Sequence, residues 1–367
     1  MKTYFFIAII FLSHTTLAKE PLEMIEKQSG FVTNNWEEFD IIIPVNNERI
    51  GGTLLIPKHL KSESLVVMSS GSGPQDRDET LFGFKIFKVI ADHLAAKGIA
   101  SFRYDDRGEG NSTGDFVNST LEDLSNDLEG ILYYFEKRSI HQFDHFILLG
   151  HSQGGIISAK VAAEKKSVGE LILMAFPAVP LKEVVLAQVR LDYISSNLER
   201  EIVEAEVSAH NRLMSAIDKN KNIEEELDFY KETYKRILVK QQPELTEKKS
   251  ELNTSLDQKA NELKVIYNLP SLKSFLQYDP VQDLEKLNIP VLALIGGNDA
   301  QVSIEQNKDR VESALLKANT DYDLKVFNAA NHLFQEAKTG LRGEYDNLDK
   351  KFIDGFLPCI STWLLKN

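Results

Sequence analysis

The pentapeptide Gly150-His151-Ser152-Gln153-Gly154 sets a serine between two glycines. An apolar run, Phe146 to Leu149, precedes it, and a helical pattern, Ile156 to Lys165, follows. A Gly-x-Ser-x-Gly at such a junction is a nucleophile elbow, a sharp strained turn that lifts the serine hydroxyl above the end of a sheet. Side chains at Gly150 and Gly154 would collide with neighbouring backbone, and Gly155 adds further room. The helix N-terminus brings N–H groups and a dipole end to where negative charge would develop. The competing reading is a small-residue turn that only packs a helix on a strand.

Serine is a poor nucleophile at neutral pH, so Ser152 needs a base, and the base needs an acid to orient it. With such an elbow their chain order is serine, acid, histidine. Of the eight histidines, His14, His59, His93, His141, His145 and His151 precede the serine, and His210 lies in a helical region. His332 remains, in a loop between the last strand and the final helix, where α/β sites are built. The acid should end a strand between Ser152 and His332. Asp299 does, at the close of Gly296-Gly297-Asn298-Asp299, although an ordinary turn aspartate would look the same. Asp279 and Asp283 come before that strand, and Glu183 would demand an earlier acid position. An oxyanion hole takes the N–H of the residue after the nucleophile, Gln153, and a second from the loop Gly71-Ser72-Gly73, where Ser72 is nominated. Ser72 itself lacks the strand–turn–helix context of a nucleophile.

The elements that must position these groups follow an alternating pattern. Phe39 to Val45 and Ile50 to Ile56 read as strands joined by a turn at Asn46-Asn47, and Leu65 to Met68 as a third. A helix is expected over Phe84 to Lys97, stopped by Gly98, then a strand over Ile99 to Tyr104. A helix capped by Thr120 runs to about Lys137, and Leu171 to Phe176 forms a strand after the elbow helix. Apolar strands alternating with helices predict a mostly parallel, doubly wound sheet covered on both faces. From Leu181 to Ser271 the strand pattern stops; Glu, Lys, Leu and Gln dominate and apolar residues recur at helical spacing. This predicts a helical cap insertion at 181–271 between core segments 19–180 and 272–367. A coiled-coil arm is disfavoured because no clean heptad persists. Strands at Val291 to Ile295 and Tyr322 to Phe327, a helix over Ser303 to Lys317 and a last helix reaching Leu365 complete the pattern.

Composition narrows the function classes. With 42 Lys and Arg against 55 Asp and Glu, a net charge of −13 argues against nucleic acid as a partner. Lys2, the apolar run Tyr4 to Leu12 and Thr16-Leu17-Ala18 read as a signal peptide over residues 1–18, so export to a periplasm or medium is expected. The apolar run is short for a spanning helix and no cysteine follows Ala18, so no stable membrane anchor is expected. Cys359 is the single cysteine, which precludes an internal disulfide.

With these residues assembled, the chain resembles the α/β-hydrolase superfamily, and more narrowly its exported esterase and serine-aminopeptidase-like (S33-type) branch. The resemblance rests on a Gly-Ser-Gly-Pro-x-Asp-Arg-Asp loop at 71–78, an Asp-Arg-Gly-x-Gly-x-Ser turn at 106–112 and the Gly-His-Ser-x-Gly-Gly elbow. Gly-x-x-Asp-x-Gln-Val at 296–302 and Asn-His-Leu-Phe-Gln at 331–335 extend it. It implies an α/β-hydrolase fold with Ser152, Asp299 and His332 as a triad, Ser72 and Gln153 as oxyanion donors, and no metal or cofactor. Ser70 stands before Gly71 where many such hydrolases carry histidine. Asp76, Arg77 and 106–110 are expected to be scaffolding. The expected chemistry is acyl transfer from a small acyl substrate, a carboxylic ester first. A peptidase, or a catalytically silent ligand-binding protein, are the alternatives.

Overall fold

Alternation of side chains across a strand explains the first edge of the sheet. In the computed structural model, β1 (Ile25–Gln28), β2 (Trp36–Val45) and β3 (Glu48–Pro57) pair antiparallel, and the end of β2 alternates buried with half-buried positions. The turn between β2 and β3 uses Asn46 at φ 53°, a left-handed position that asparagine tolerates. The structure describes residues 25–28, 35–195 and 198–366, so the expected signal peptide lies outside the described residues. Among them, no helix is long and apolar enough to cross a membrane.

The next strands are buried at every position, as strands covered on both faces must be. They are β4 (Leu65–Ser69), then, after the small hairpin β5 (Thr80–Leu81) and β6 (Phe84–Lys85) and helix α1 (Ile86–Ala96), β7 (Ala100–Tyr104). Helix α2 (Leu121–Lys137), β8 (Phe146–His151), α3 (Gln153–Glu164) and β9 (Val168–Met174) follow. The helix expected from Phe84 therefore starts two residues later, because Phe84 and Lys85 pair with Leu81 and Thr80 across Phe82-Gly83, both at positive φ.

Two compact units result. The second holds Val117–Leu121 and Pro177–Pro280; the first holds the remaining described residues. In the second unit, α4 (Leu181–Ser195), α5 (Arg200–Asp218), α6 (Glu224–Gln241), α7 (Lys249–Asn268) and the short α8 (Pro270–Lys273) pack on one another. Its interior is unusually polar: Glu206, His210, Tyr230 and Tyr267 are all fully buried. Thr233 Oγ1 donates to Glu206 Oε2 at 2.7 Å, and His210 Nδ1 lies 2.5 Å from Tyr267 Oη. This unit is wider than 181–271, because Leu181 and Lys182 N–H donate to Phe275 and Leu276 carbonyls, and Ser271 N–H to Val117.

The first unit resumes with α9 (Val281–Leu284), β10 (Val291–Gly296), α10 (Ile304–Ala318), β11 (Tyr322–Phe327) and α11 (Phe356–Leu364). Strand order is β1-β2-β3-β7-β4-β8-β9-β10-β11, parallel from β7 onward. Alternate residues of four parallel strands (Met68, Leu149, Met174 and Leu294) join Ile90 and Leu94 of α1 and Phe356 and Ile360 of α11 in one large apolar core. The chain leaves β4 toward β7 on one side, and β8 takes the other side. That is a topological switch point, where the carboxyl ends of strands open a crevice. Ser69 and His151 end β4 and β8 there.

Candidate active site

Ser152 sits between β8 and α3 at φ 51° and ψ −119°, a conformation that L side chains rarely adopt. Ser152 N–H donates to the Met174 carbonyl at 2.8 Å, and Gly155 N–H donates back to the Ser152 carbonyl at 2.9 Å. Two glycines make the turn possible. A Cβ on Gly154 would run into the carbonyl oxygens of Ser69 and Ser70, and one on Gly150 would lie 2.5 Å from Gly155 Cα. The elbow is thus wedged against the end of β4, which carries the Gly71 loop to the same place. A Cβ on Gly71 would lie 3.5 Å from Ser152 Cβ.

The candidate acid and base, Asp299 and His332, come from the loops after β10 and β11. Gly296 and Gly297 let these loops touch: a Cβ on either would lie 2.7 Å or less from the carbonyls of Ala330 and Asn331 or of Asn328. Asn298 N–H donates to the Ala330 carbonyl at 2.9 Å, and Asn298 Nδ2 to the Ala337 carbonyl at 2.8 Å. Asn331 Oδ1 in turn accepts the N–H groups of Leu333 and Gln335. The result brings Asp299 Oδ2 to 2.7 Å from His332 Nδ1, with both side chains buried.

His332 meets the elbow through its main chain. His151 Nε2 lies 3.0 Å from the His332 carbonyl, and the two imidazole rings are 4.9 Å apart. Among the described residues, no hydrogen bond joins Ser152 Oγ to the His332 ring, an arrangement common before substrate tightens an active site. Of the nominated oxyanion donors, Gln153 opens α3 and is buried, and Ser72 is exposed on the loop beyond Gly71. Gly71 N–H on this loop is already committed to Glu79 Oε1 at 2.7 Å.

Glu79 is the residue that sequence reasoning missed. It is fully buried, at φ 48°, and its Oε1 also lies 2.7 Å from His151 Nδ1. It directly follows the 71–78 loop, but nothing in a run of loop polar residues marks one carboxylate as buried.

The surrounding charges hold the loop in shape. Arg77 Nε and Nη2 grip both Asp105 carboxylate oxygens at 3.0 and 2.5 Å, while Nη1 donates to Asp40 Oδ1 and Thr53 Oγ1. Arg103 pairs with Asp78, and Arg107 with Asp127 at 2.6 Å. Asp106 Oδ2 accepts Ser70 Oγ–H and Gln75 N–H; its burial pushes the carboxyl well above its ordinary range, and those two bonds offset only part of that.

Comparison with known proteins places the chain as a whole. The profile of the family described as serine aminopeptidase, S33 matches residues 84–337. The esterase EstD of Thermotoga maritima is 27% identical over 337 residues, 90% of this chain and 68% of that one. A Pyrococcus furiosus esterase, Pf2001, shares the fold with a TM-score of 0.54 and 13% identity, over 90% of this chain and 89% of the other. A proline iminopeptidase of Mycobacterium smegmatis does so at 0.51 and 13%, over 89% and 98%. The chain is a hydrolase of α/β-hydrolase fold and belongs to the serine aminopeptidase S33 family.

Proposed function

We propose that this chain hydrolyses carboxylic esters by acyl transfer through Ser152. His332, with Nδ1–H held by Asp299, takes the Ser152 hydroxyl proton as the hydroxyl attacks the substrate carbonyl. The oxyanion is met by the N–H groups of Gln153 and Ser72. His332 then gives its proton to the leaving alcohol, and water, activated by the same ring, releases the acid and regenerates Ser152. The observation that carries this reading is the Asp299–His332 bond at 2.7 Å beside an elbow serine at φ 51°. Kinship with the esterase EstD favours an ester as the bond cleaved.

The family's aminopeptidase description supports a second reading, amide cleavage by the same groups. A panel of nitrophenyl acyl esters run against aminoacyl anilides separates the two, and fluorophosphonate labelling of Ser152 separates both from a silent binder. Turnover of the esters, lost in a folded Ser152→Ala protein, is the expected result; undiminished turnover in that variant would sink the proposal.

Two further parts of the proposal lie outside the acyl-transfer machinery. The helical unit sets acyl-chain preference and supplies no catalytic group, so replacing 181–271 with a Gly-Ser linker should alter KM more than fluorophosphonate labelling. Export follows cleavage near Ala18, which N-terminal sequencing of the mature protein tests.

A further inference from the structure

Glu79 and His151 take no part in the acyl transfer described above, yet their side chains are 0% and 1% exposed beside Ser152. Each ring nitrogen of His151 faces an acceptor. Nε2 lies 3.0 Å from the His332 carbonyl, which can only accept, so Nε2 carries a proton. Nδ1 lies 2.7 Å from Glu79 Oε1, which already accepts Gly71 N–H; an ionised Glu79 can only accept, and Nδ1 then carries the second proton. A ring protonated at both nitrogens is an imidazolium, and a buried cation requires a charged partner, which Glu79 supplies.

The electrostatics agree with the geometry. Burial pulls His151 toward its neutral form, but the charge and hydrogen bond of Glu79, then the His332 carbonyl and the Asp299 charge, outweigh it and raise its proton affinity above the ordinary value. The ionisable groups around the ring are thus Glu79 from the loop after β4, Asp299 from the loop after β10 and His332 from the loop after β11. The Glu79 charge acts in turn on Asp106, whose proton affinity it helps to raise.

We propose that His151 is a permanent buried imidazolium, locked by Glu79, that serves as a positioning residue for His332. Its Nε2–H pins the His332 main chain, with the two rings 4.9 Å apart, and so fixes where the His332 ring stands beside Ser152. Glu79 also holds Gly71, so one carboxylate sets the oxyanion loop, the elbow and the base loop together. The functional part of this inference rests on the proposed role of His332.

Nitrogen NMR of the full chain, labelled in its histidine rings and carrying Ser152→Ala, tests the inference without needing turnover. His332 is assigned with a His332→Gln variant, and His151 by its ring's proximity to that of His332. Both His151 nitrogens should stay protonated from about pH 6 to about pH 9, a range in which an ordinary histidine loses its proton. In Glu79→Gln, His151 should lose one proton by about pH 8, and kcat for an ester should fall about 10-fold or more with KM little changed, because the base loop loses its hold. A His151 with a single ring proton at neutral pH would overturn the inference, because the proton would then lie on Glu79. So would a doubly protonated His151 that survives Glu79→Gln, or an ester kcat that is unchanged in that variant. Should Glu79→Gln not fold, titration of His151 within that pH range in the parent is the overturning result. A parent chain that cleaves neither esters nor amides removes the proposed function, while the NMR still decides the state of His151.

Discussion

Asp299 binds His332 with one carboxylate oxygen and its own turn with the other. Oδ2 lies 2.7 Å from His332 Nδ1, while Oδ1 accepts the N–H groups of Gln301 and Val302 at 2.8 and 2.9 Å. The acid cannot rotate away from the ring without giving up two backbone bonds. Its hold also fixes the tautomer: Nδ1 must donate to the carboxylate, so a neutral His332 keeps Nε2 bare, as the proposed transfer of the Ser152 proton requires.

A ranking of variants follows from that division of labour. His332→Ala should cost as much as Ser152→Ala, about 10^6-fold in kcat, because the two act as a unit. Asp299→Asn should cost less, about 10^4-fold, since serine and ring remain but the tautomer is no longer enforced. Steady-state kinetics on a nitrophenyl ester read all three. A harmless Asp299→Ala beside a crippling Glu183→Ala would move the acid elsewhere.

The elbow makes a prediction about stability. Gly154→Ala drives a methyl into the Ser69 and Ser70 carbonyls, backbone atoms of a central strand that cannot yield. The cost should be several kcal/mol, about that of severe overpacking, or failure to fold. Gly343→Ala is the matched control, because nothing lies within 4 Å of its Cβ, and it should be near neutral. Thermal melts of the two variants check the contrast; equal melting would mean that β4 and the elbow are not packed as described.

Contiguity decides how much of this was legible in the sequence. The elbow, the Gly296–Asp299 turn and the His332 loop each spell out their chemistry within a few neighbouring residues, and the alternation of apolar runs and helices set their order. The pairing of Asp299 with His332 follows from chain order and from the place of each at a strand's carboxyl end, and the structure brings those two side chains into contact. What stayed hidden depends on groups remote in sequence. Glu79 gains its meaning from His151, 72 positions away. Val117–Leu121 joins the helical unit through a main-chain bond from Ser271 to Val117 and the bond of Leu121 N–H to Ser274 Oγ, which leave no periodicity to read. Phe84–Lys85, the second strand of the small hairpin, reads as the start of the next helix because Phe84 suits either element.

Arg77 illustrates the same limit from the other side, since its type alone admits a substrate contact. All three guanidinium nitrogens are engaged by Asp105, Asp40 and Thr53, and the side chain is 15% exposed. Arg77→Lys keeps the charge but loses the two-pronged grip on buried Asp105. It should lower stability by about 1–3 kcal/mol and leave the KM for a small ester within about twofold. Chemical denaturation and kinetics on one preparation separate the effects, and a large rise in KM at unchanged stability would make Arg77 a substrate contact instead.

Asp106 carries a pH dependence whose direction can be worked out. Burial raises its carboxyl well above the ordinary 3.8 in the folded chain, against the bonds from Ser70 and Gln75, with the charges of Glu79 and Asp127 adding to the rise. In the unfolded chain the group titrates near its ordinary value. Between those two values the folded state holds a proton that the unfolded state has released, so raising the pH favours unfolding. The contribution is fully present below about pH 4 and is lost as the pH climbs through the folded value, by about 1.4 kcal/mol for each pH unit crossed. Asp106→Asn keeps an oxygen to accept Ser70 Oγ–H and Gln75 N–H but has nothing to ionise. Parent and variant should therefore have similar urea midpoints near pH 4, and the variant should become progressively the more stable as the pH rises toward neutrality. Titrating groups that do not interact with Asp106 cancel in that comparison. A variant that instead weakens relative to the parent with rising pH would show that Asp106 is charged in the folded chain and that its two accepted hydrogen bonds outweigh its burial.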